Sequence, residues 1–563
     1  MKQISFFSKQ LSVLIVFMAC CFTASAYDFM VDSLCYNIIG ENEVEVTRNV
    51  SFKVRGEVAI PATVIYDNVT YQVTQIGSNA FAGCNQMTLI DIPEGIVKIN
   101  EWAFDGCSGL EYLEFPNSLV SIARGAFYGC SNVSSINITR NLTDIAYNVF
   151  YPFHKVSHYT CSALNPKYRA VDGIIYTKDL TKLVAYPQAA PATSFVVPST
   201  VTILGDYCLH NCDNLTDVTI HDGVTEFGMN IFSYCDNIES IYVPDGVTKM
   251  GVTVFGQCSK LSSVHLPASL DTLSNACFYD CDSLRTLTIP RNVKYVGDYC
   301  FGESDNLKTV IFEEGSCVGG FGHDVFAECA SIEYFDMPNT ATTIGKSMFY
   351  MCPTLKRVHL STSLTNIPYG SFFRCYQLTD LDIPGTVTLI SNTAIQNCTA
   401  LKTLKIGDKD APAGTTLIEH YALAHSEDLE RLELGANLDS MTYISLADLG
   451  KVKLVVCWAT TPPRCNENAM EVRFSTTPLY VPKVAVDAYR EATMWNRFQT
   501  IVPIEDVGDV NGDGNINISD VTTLINYLLG GESDRLVFAD VDLDGSVNIT
   551  DVASLINRLL NNN

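Results

Sequence analysis

At 563 residues the chain is longer than one ordinary hydrophobic core organises, so it contains several domains or grows by stacking repeats. Its 47% apolar and 17% charged residues are those of a folded soluble protein, which excludes disorder as the default. A formal charge of −26 repels phosphate backbones and argues against a nucleic-acid partner.

The first 26 residues stand apart: Lys2 and Lys9 give a positive start, Leu11 to Phe22 is apolar, and Ala24-Ser25-Ala26 is a small-residue exit. That is the pattern of a secretory signal peptide cleaved near Ala26, with Tyr27 as the mature start. A competing reading makes Cys20 or Cys21 a lipid acceptor, for which Phe17-Met18-Ala19-Cys20 is a poor match. No stretch approaches the ~18 apolar residues of a membrane helix, so no transmembrane segment is expected. The mature protein is expected to be secreted, extracellular or at the cell surface.

Residues 27–73 alternate in hydropathy, as at Tyr36 and Ile38 or Val44 and Val46, and read as an N-terminal β cap. A repeat follows over 74–435. Eleven cysteines keep a 23-residue step, from Cys84 to Cys130, Cys212 to Cys281 and Cys329 to Cys398. Three residues before each lies a large apolar residue, usually Phe, and five before that another, as at Ile76, Ile99 and Ile122. After the cysteine comes an alternating apolar segment that often ends in Pro, as in Leu110 to Pro116.

Fourteen such units fit between 74 and 435. The gap from Cys130 to Cys212 holds 82 residues where three units need 69; alternating segments around Asp172-Gly173 fill it and read as a hairpin insertion at about 165–190. Residues 436–505 lose the cysteine but keep Leu454 to Cys457, Leu479 to Pro482 and a helix from Val484 to Trp495, a C-terminal cap.

This periodicity predicts a β-rich leucine-rich-repeat solenoid. Short parallel strands alternate with short helical turns, and Phe and Cys three apart share one side of each turn. The repeat cysteines admit a disulfide ladder or a ladder of buried thiols. Thiols are favoured, because Phe153 and Ser304 occupy the same position without harm.

The pattern at Ile76 to Pro93, Ile-Gly-x-x-Ala-Phe-x-x-Cys-x-x-Leu followed by alternating apolar residues and Pro, resembles the BspA-type leucine-rich repeats of bacterial surface proteins. The ending from Leu479 to Ile501 resembles that family's last segment. The resemblance implies adhesion or host-protein binding and leaves the ligand open.

From residue 507 the pattern changes. Asp509, Asn511, Asp513, Asn515, Asn517 and Asp520 place oxygen ligands at loop positions 1, 3, 5, 7, 9 and 12, with Gly514 at the sharp turn. Thirty-one residues on, Asp540, Asp542, Asp544, Ser546, Asn548 and Asp551 repeat the scheme. Each loop opens a helix with apolar residues at helical spacing, so 507–563 is expected to be a small all-α domain holding two Ca2+. Asp at position 12, loop then helix, and duplication together resemble a type I dockerin, which binds cohesin modules. That resemblance makes Ile518, Ser519, Ile549 and Thr550, at positions 10 and 11, the partner-binding residues, on a pseudo-two-fold surface. The module is expected to act as a docking tag independent of the solenoid.

No catalytic motif for acyl transfer, zinc hydrolysis or phosphate binding is present, and the chain is read as no enzyme. Strand residues between the buried ones face outward. Tyr112, Tyr242, His265, Tyr334, Arg357 and His359 are the candidate ligand-face residues, toward a protein or a glycan. Because dockerins often accompany polysaccharide-degrading enzymes, an accessory carbohydrate-binding or glycoside-hydrolysing component of such a complex is the alternative.

Overall fold

The computed structural model describes residues 27–50, 52–532 and 535–561; the expected signal peptide, with Cys20 and Cys21, lies outside the described residues. The chain divides into two compact units, the first reaching to Thr216 and including Phe227–Cys235, the second Asp217–Glu226 and the chain from Asp236 onward. Each is a coil of short strands. About 19 turns are present among the described residues, more than fourteen, because residues 436–505 continue the same coil.

In the first unit, antiparallel strands Phe29–Val31, Leu34–Ile38 and Glu43–Thr47 lead into a parallel ladder of Val69–Ile76, Lys98–Ile99, Ser121–Ile122 and Asp144–Ile145. After the ladder, Tyr168–Val171, Ile174–Thr177 and Lys182–Ala185 form an antiparallel meander, whose last strand pairs in parallel with Ile203–Leu204. In the second unit an eight-stranded parallel sheet runs from Tyr334–Asp336 through Arg357–His359, Asp380–Ile383, Thr403–Ile406, Arg431–Leu434, Leu454–Cys457 and Leu479–Val481 to Ile501–Pro503. The helix expected over Val484 to Trp495 is shorter, Val486–Glu491, flanked by single 3-10 turns; it buries Tyr489, and the neighbouring Trp495 indole donates to the Pro463 carbonyl (2.9 Å).

The Phe–Cys segments are tight turns rather than the helical turns expected from their spacing. Asn79 and Gly83 take left-handed φ of 57° and 75°, which interrupts helical continuity every fourth residue. Alternate N–H groups therefore point along the coil: those of Asn79, Phe81 and Gly83 donate to the carbonyls of Glu101, Ala103 and Asp105 in the next turn (3.1, 2.7 and 2.6 Å). The N–H groups between them close the local turns, Ala80 to Gly77 and Cys84 to Phe81 (3.2 and 3.0 Å). Turn packs on turn through main-chain bonds on this side as well as through the sheets.

These bonds hold the phenylalanines in a column. Ring centroids lie 5.2 Å apart for Phe81 and Phe104, and in the second unit 5.2, 5.7 and 5.3 Å along Phe255, Phe278, Phe301 and Phe326. The cysteines serve the same stack. The Cys107 thiol donates to the Phe81 carbonyl (3.1 Å), Cys281 to Phe255 (3.0 Å) and Cys375 to Phe349 (3.2 Å). Ser304 makes the equivalent bond to Phe278 at 2.9 Å, which explains why a hydroxyl substitutes without harm. Burial pushes the Cys130, Cys281 and Cys398 thiols up to about 12, so they stay protonated and unreactive. Thiol titration in denaturant without reductant should find most of the nineteen cysteines after residue 26 reactive, and few before unfolding. Fewer than half reactive after unfolding would mean a disulfide ladder.

Candidate functional site

The C-terminal helices Ile518–Leu528 and Ile549–Asn561 each follow one acidic loop, and pack through Val521, Leu524, Val552 and Leu555. In the first loop the Asp509 carboxylate accepts N–H bonds from Gly512, Asp513 and Gly514 (2.8, 3.1 and 3.2 Å). Asp520 closes that loop by accepting from Asn511 and Asn517 (3.0 and 2.9 Å). The second loop repeats this: Asp540 accepts from Asp544 and Gly545 (both 3.0 Å), and Asp551 from Val541 and Asn548 (2.6 and 2.8 Å). Gly514 and Gly545 have φ of 84° and 87°, the turn that position requires.

Four of these carboxylates, Asp509, Asp520, Asp540 and Asp551, are buried. Burial, the larger cause, pushes the Asp540 carboxyl up to about 7, and raises Asp551 too. Asp540, Asp542 and Asp544 converge, with carboxylate oxygens within 4.8 Å of one another. Converging, all-oxygen donors, of which Asp540 is buried, Asp542 half-buried and Asp544 exposed, fit a hard divalent cation such as calcium. Asn515 and Ser546 sit at position 7 with their N–H groups on Asp513 and Asp544 (both 2.8 Å). At position 9 the Asn517 and Asn548 side chains accept from the N–H of Ser519 and Thr550 (both 2.8 Å), and so also cap the helices.

The four partner-face residues fall on equivalent places. Ile518 and Ile549 are each 70% exposed. The Ser519 hydroxyl accepts from the Asn511 amide (2.6 Å), and the Thr550 hydroxyl donates to Asp542 (2.8 Å), so position 11 is tied to position 3 in both halves. Sequence reading missed the rest of this face. Ile525 and Leu529, with Ile556 and Leu560, belong to the apolar residues at helical spacing, and all four are exposed. They lie seven and eleven residues after Ile518 and Ile549, one apolar stripe per helix. The signal was available: two short helices carried more apolar residues than their shared core could bury.

Independence from the solenoid is not what the structure shows. Along the eight-stranded sheet the outward residues are polar through Asp382, Lys405 and Glu433, then become Val456, Tyr480 and Val502 in register. These, with Leu454, are fully buried against Leu543 of the second loop and the partly buried Val537 and Phe538. The Tyr480 hydroxyl donates to the Val537 carbonyl (2.8 Å). Position 4 of the loops records the seat. Gly512 occupies it in the first loop with φ 75°, whereas Leu543 takes φ 55° in the second, a left-handed conformation costing a branched residue about 1–2 kcal/mol. Burial of its side chain, about 1.5–3 kcal/mol, offsets that. Leu543→Gly is therefore expected to loosen the module from the sheet by about 1 kcal/mol, seen as faster proteolysis near residues 503–508. Unchanged cleavage would mean that the seat does not hold the module.

The candidate ligand face divides between the units. Tyr112 is exposed in the first. In the second, Tyr242 and His265 stack at 4.9 Å, and Tyr334 lies beside Arg357 on the next strand. Arg357 pairs with Asp380 (3.5 Å), and His359 lies 3.9 Å from Asp336. Exposed pairs of this kind add little stability and leave the charges open to a partner.

The family model of the BspA type leucine rich repeat region matches residues 65–166, 184–308 and 320–452, and that of the dockerin type I domain matches 507–560. Similar solved structures include a leucine-rich repeat protein from Bacteroides ovatus, 24% identical over 72% of this chain and 94% of that one, with a TM-score of 0.41. A leucine rich cell surface protein from Faecalibacterium prausnitzii is 19% identical, with the same coverages and a TM-score of 0.32. A pneumococcal vaccine antigen is 14% identical over 84% of this chain and 96% of that one, with a TM-score of 0.31. Among curated proteins none matches. Type I dockerin domains bind calcium, and both families are typical of extracellular and surface proteins. No helix among the described residues is long and apolar enough to cross a membrane.

Proposed function

The chain belongs to the BspA-type leucine-rich repeat proteins and carries a type I dockerin domain, and from that premise we propose that it is a non-catalytic extracellular binding protein. The dockerin attaches it to a cohesin-like partner. Two Ca2+ hold the loops, one through Asp509, Asn511, Asp513, Asn515, Asn517 and Asp520, the other through Asp540, Asp542, Asp544, Ser546, Asn548 and Asp551. The solenoid face around Tyr242, His265, Tyr334, Arg357 and His359 meets a protein or glycan ligand.

The observation that carries this reading is the duplicated apolar stripe. Ile518, Ile525 and Leu529 match Ile549, Ile556 and Leu560 in exposure and spacing, and both stripes stay uncovered although the module is seated on the sheet. An apolar face that its own chain leaves bare marks an interaction site. Calcium supports it indirectly, by fixing the loops to which Ser519 and Thr550 are hydrogen-bonded.

Replacing Ile518-Ser519 alone by alanines should weaken cohesin binding by only about twofold, because the other half still engages. Replacing Ile549-Thr550 as well should remove binding. Loss from one pair alone would refute the two-fold face.

A further inference from the structure

The 23-residue register breaks between Cys130 and Cys212, and the sheet of the first unit opens there. Among the described residues its ladder ends at Asp144–Ile145. The next strand of the coil, Lys182–Ala185, is paired on one side with the inserted Ile174–Thr177 and on the other with Ile203–Leu204. A cavity of about 220 Å³ lies at this break, over an apolar floor that includes Ile145 and Phe150. Its remaining wall includes Tyr147, Lys167, Tyr168, Thr177, Lys182 and Asp206, four of them within the insertion.

The charge of this wall is opposite to that of the chain. Lys167 lies over the Tyr168 ring (5.5 Å from its centroid), and neither Lys167 nor Lys182 has an ion-pair partner among the described residues. Asp206 also faces the cavity, but its Oδ1 accepts the Met229 N–H (2.8 Å); Asp144 nearby accepts from the Ser121 hydroxyl (3.0 Å). Tyr147 is an exposed ring stacked on Tyr207 at 6.1 Å, and Tyr207 continues into Tyr151 at 5.5 Å.

We infer that this cleft binds a carboxylate-bearing sugar residue of an acidic glycan. The volume is below the ~300 Å³ at which drug-sized pockets begin, so it admits one ring. The exposed tyrosine offers a flat apolar face to such a ring, and the two amines meet a carboxylate with charge-assisted bonds. A neutral sugar would leave the excess of two amines over the one Asp206 carboxylate on this wall without a counter-charge. An acidic peptide would satisfy the amines but has no ring for Tyr147. The inference rests on the reading of the chain as a binding protein, and on neither the strand face nor the docking face.

The test is calorimetric titration of the full secreted chain with oligosaccharides of galacturonate, glucuronate and sialic acid, each beside its methyl ester, and with polyglutamate. At least one acid form should bind, its ester about tenfold more weakly. The Lys167→Gln/Lys182→Gln variant should lose the difference between acid and ester, Tyr147→Ala should weaken both forms, and Arg357→Ala on the strand face should change neither. Binding of no acid sugar, equal binding of acid and ester, or binding of polyglutamate alone would overturn the inference. Sensitivity to Arg357→Ala but not to the lysine pair would move the sugar to the strand face, overturning the cleft while leaving the proposed function intact. Should the double variant fail to fold, the comparison of acid with ester on the unmodified chain still decides.

Discussion

Replacing Phe255 with alanine is expected to destabilise the second unit by about 3–5 kcal/mol. The ring is fully buried and stacks on Phe278 at 5.2 Å. Its removal forfeits transfer free energy, and also a stacking contribution of about 0.5–1.5 kcal/mol. The hole cannot close easily. The Phe255 N–H is bonded to the Cys277 carbonyl (3.0 Å) and the Phe278 N–H to that of Cys300 (2.8 Å), so the backbone on both sides of the hole is held. In a stacked array the loss falls on neighbouring turns first, so the urea transition should broaden as well as shift. A loss below about 1 kcal/mol would mean that Phe255 is not part of the column.

Removing calcium is expected to unfold the C-terminal module while leaving the repeat coil intact. The two loops alone put seven carboxylates into the 43 residues from Asp509 to Asp551. Two short helices sharing a core of six buried residues supply too little burial to hold them together unaided. Cation binding offsets the repulsion, so binding free energy becomes folding free energy. Chelator should therefore abolish the helical circular dichroism of Ile518–Leu528 and Ile549–Asn561, with the strand signal unchanged. Asp513→Ala and Asp544→Ala should each weaken the calcium response, and together remove it. The pH dependence in chelator has a definite sign. Asp540, raised from 3.8 to about 7, holds its proton better folded than unfolded, so module stability should fall as pH rises through that range. A module equally helical with and without calcium would overturn the calcium sites.

The coil was legible because its period is written in large residues: Phe, Cys and Ile positions 23 apart dictate what each turn buries. The form of the turns was not. Left-handed φ at Asn79 and Gly83 is suggested by residue type, but Trp102 and Tyr207 adopt it equally (58° and 57°), imposed by the ladder of main-chain bonds. The acidic loops were legible because ligand spacing is local. What covers an outward face is not local, so the seat at Val456, Tyr480 and Val502 escaped notice, although Leu454 to Cys457 is apolar on both faces. Leu543, standing where the first loop has Gly512, was the sequence trace of that contact. The exposed stripes were not legible for a similar reason. Helical periodicity identifies an apolar side and does not say how much of it a partner helix covers.

The most direct measurement is the binding of the full chain to immobilised type I cohesin modules, in calcium and in chelator, with the melting of the repeat coil followed in parallel. The expected result is binding in calcium, its loss in chelator, and a coil that stays folded, its transition shifted only by the uncovering of Val456, Tyr480 and Val502. Binding that persists in chelator, or that survives replacement of both Ile518-Ser519 and Ile549-Thr550, would contradict a calcium-held docking face.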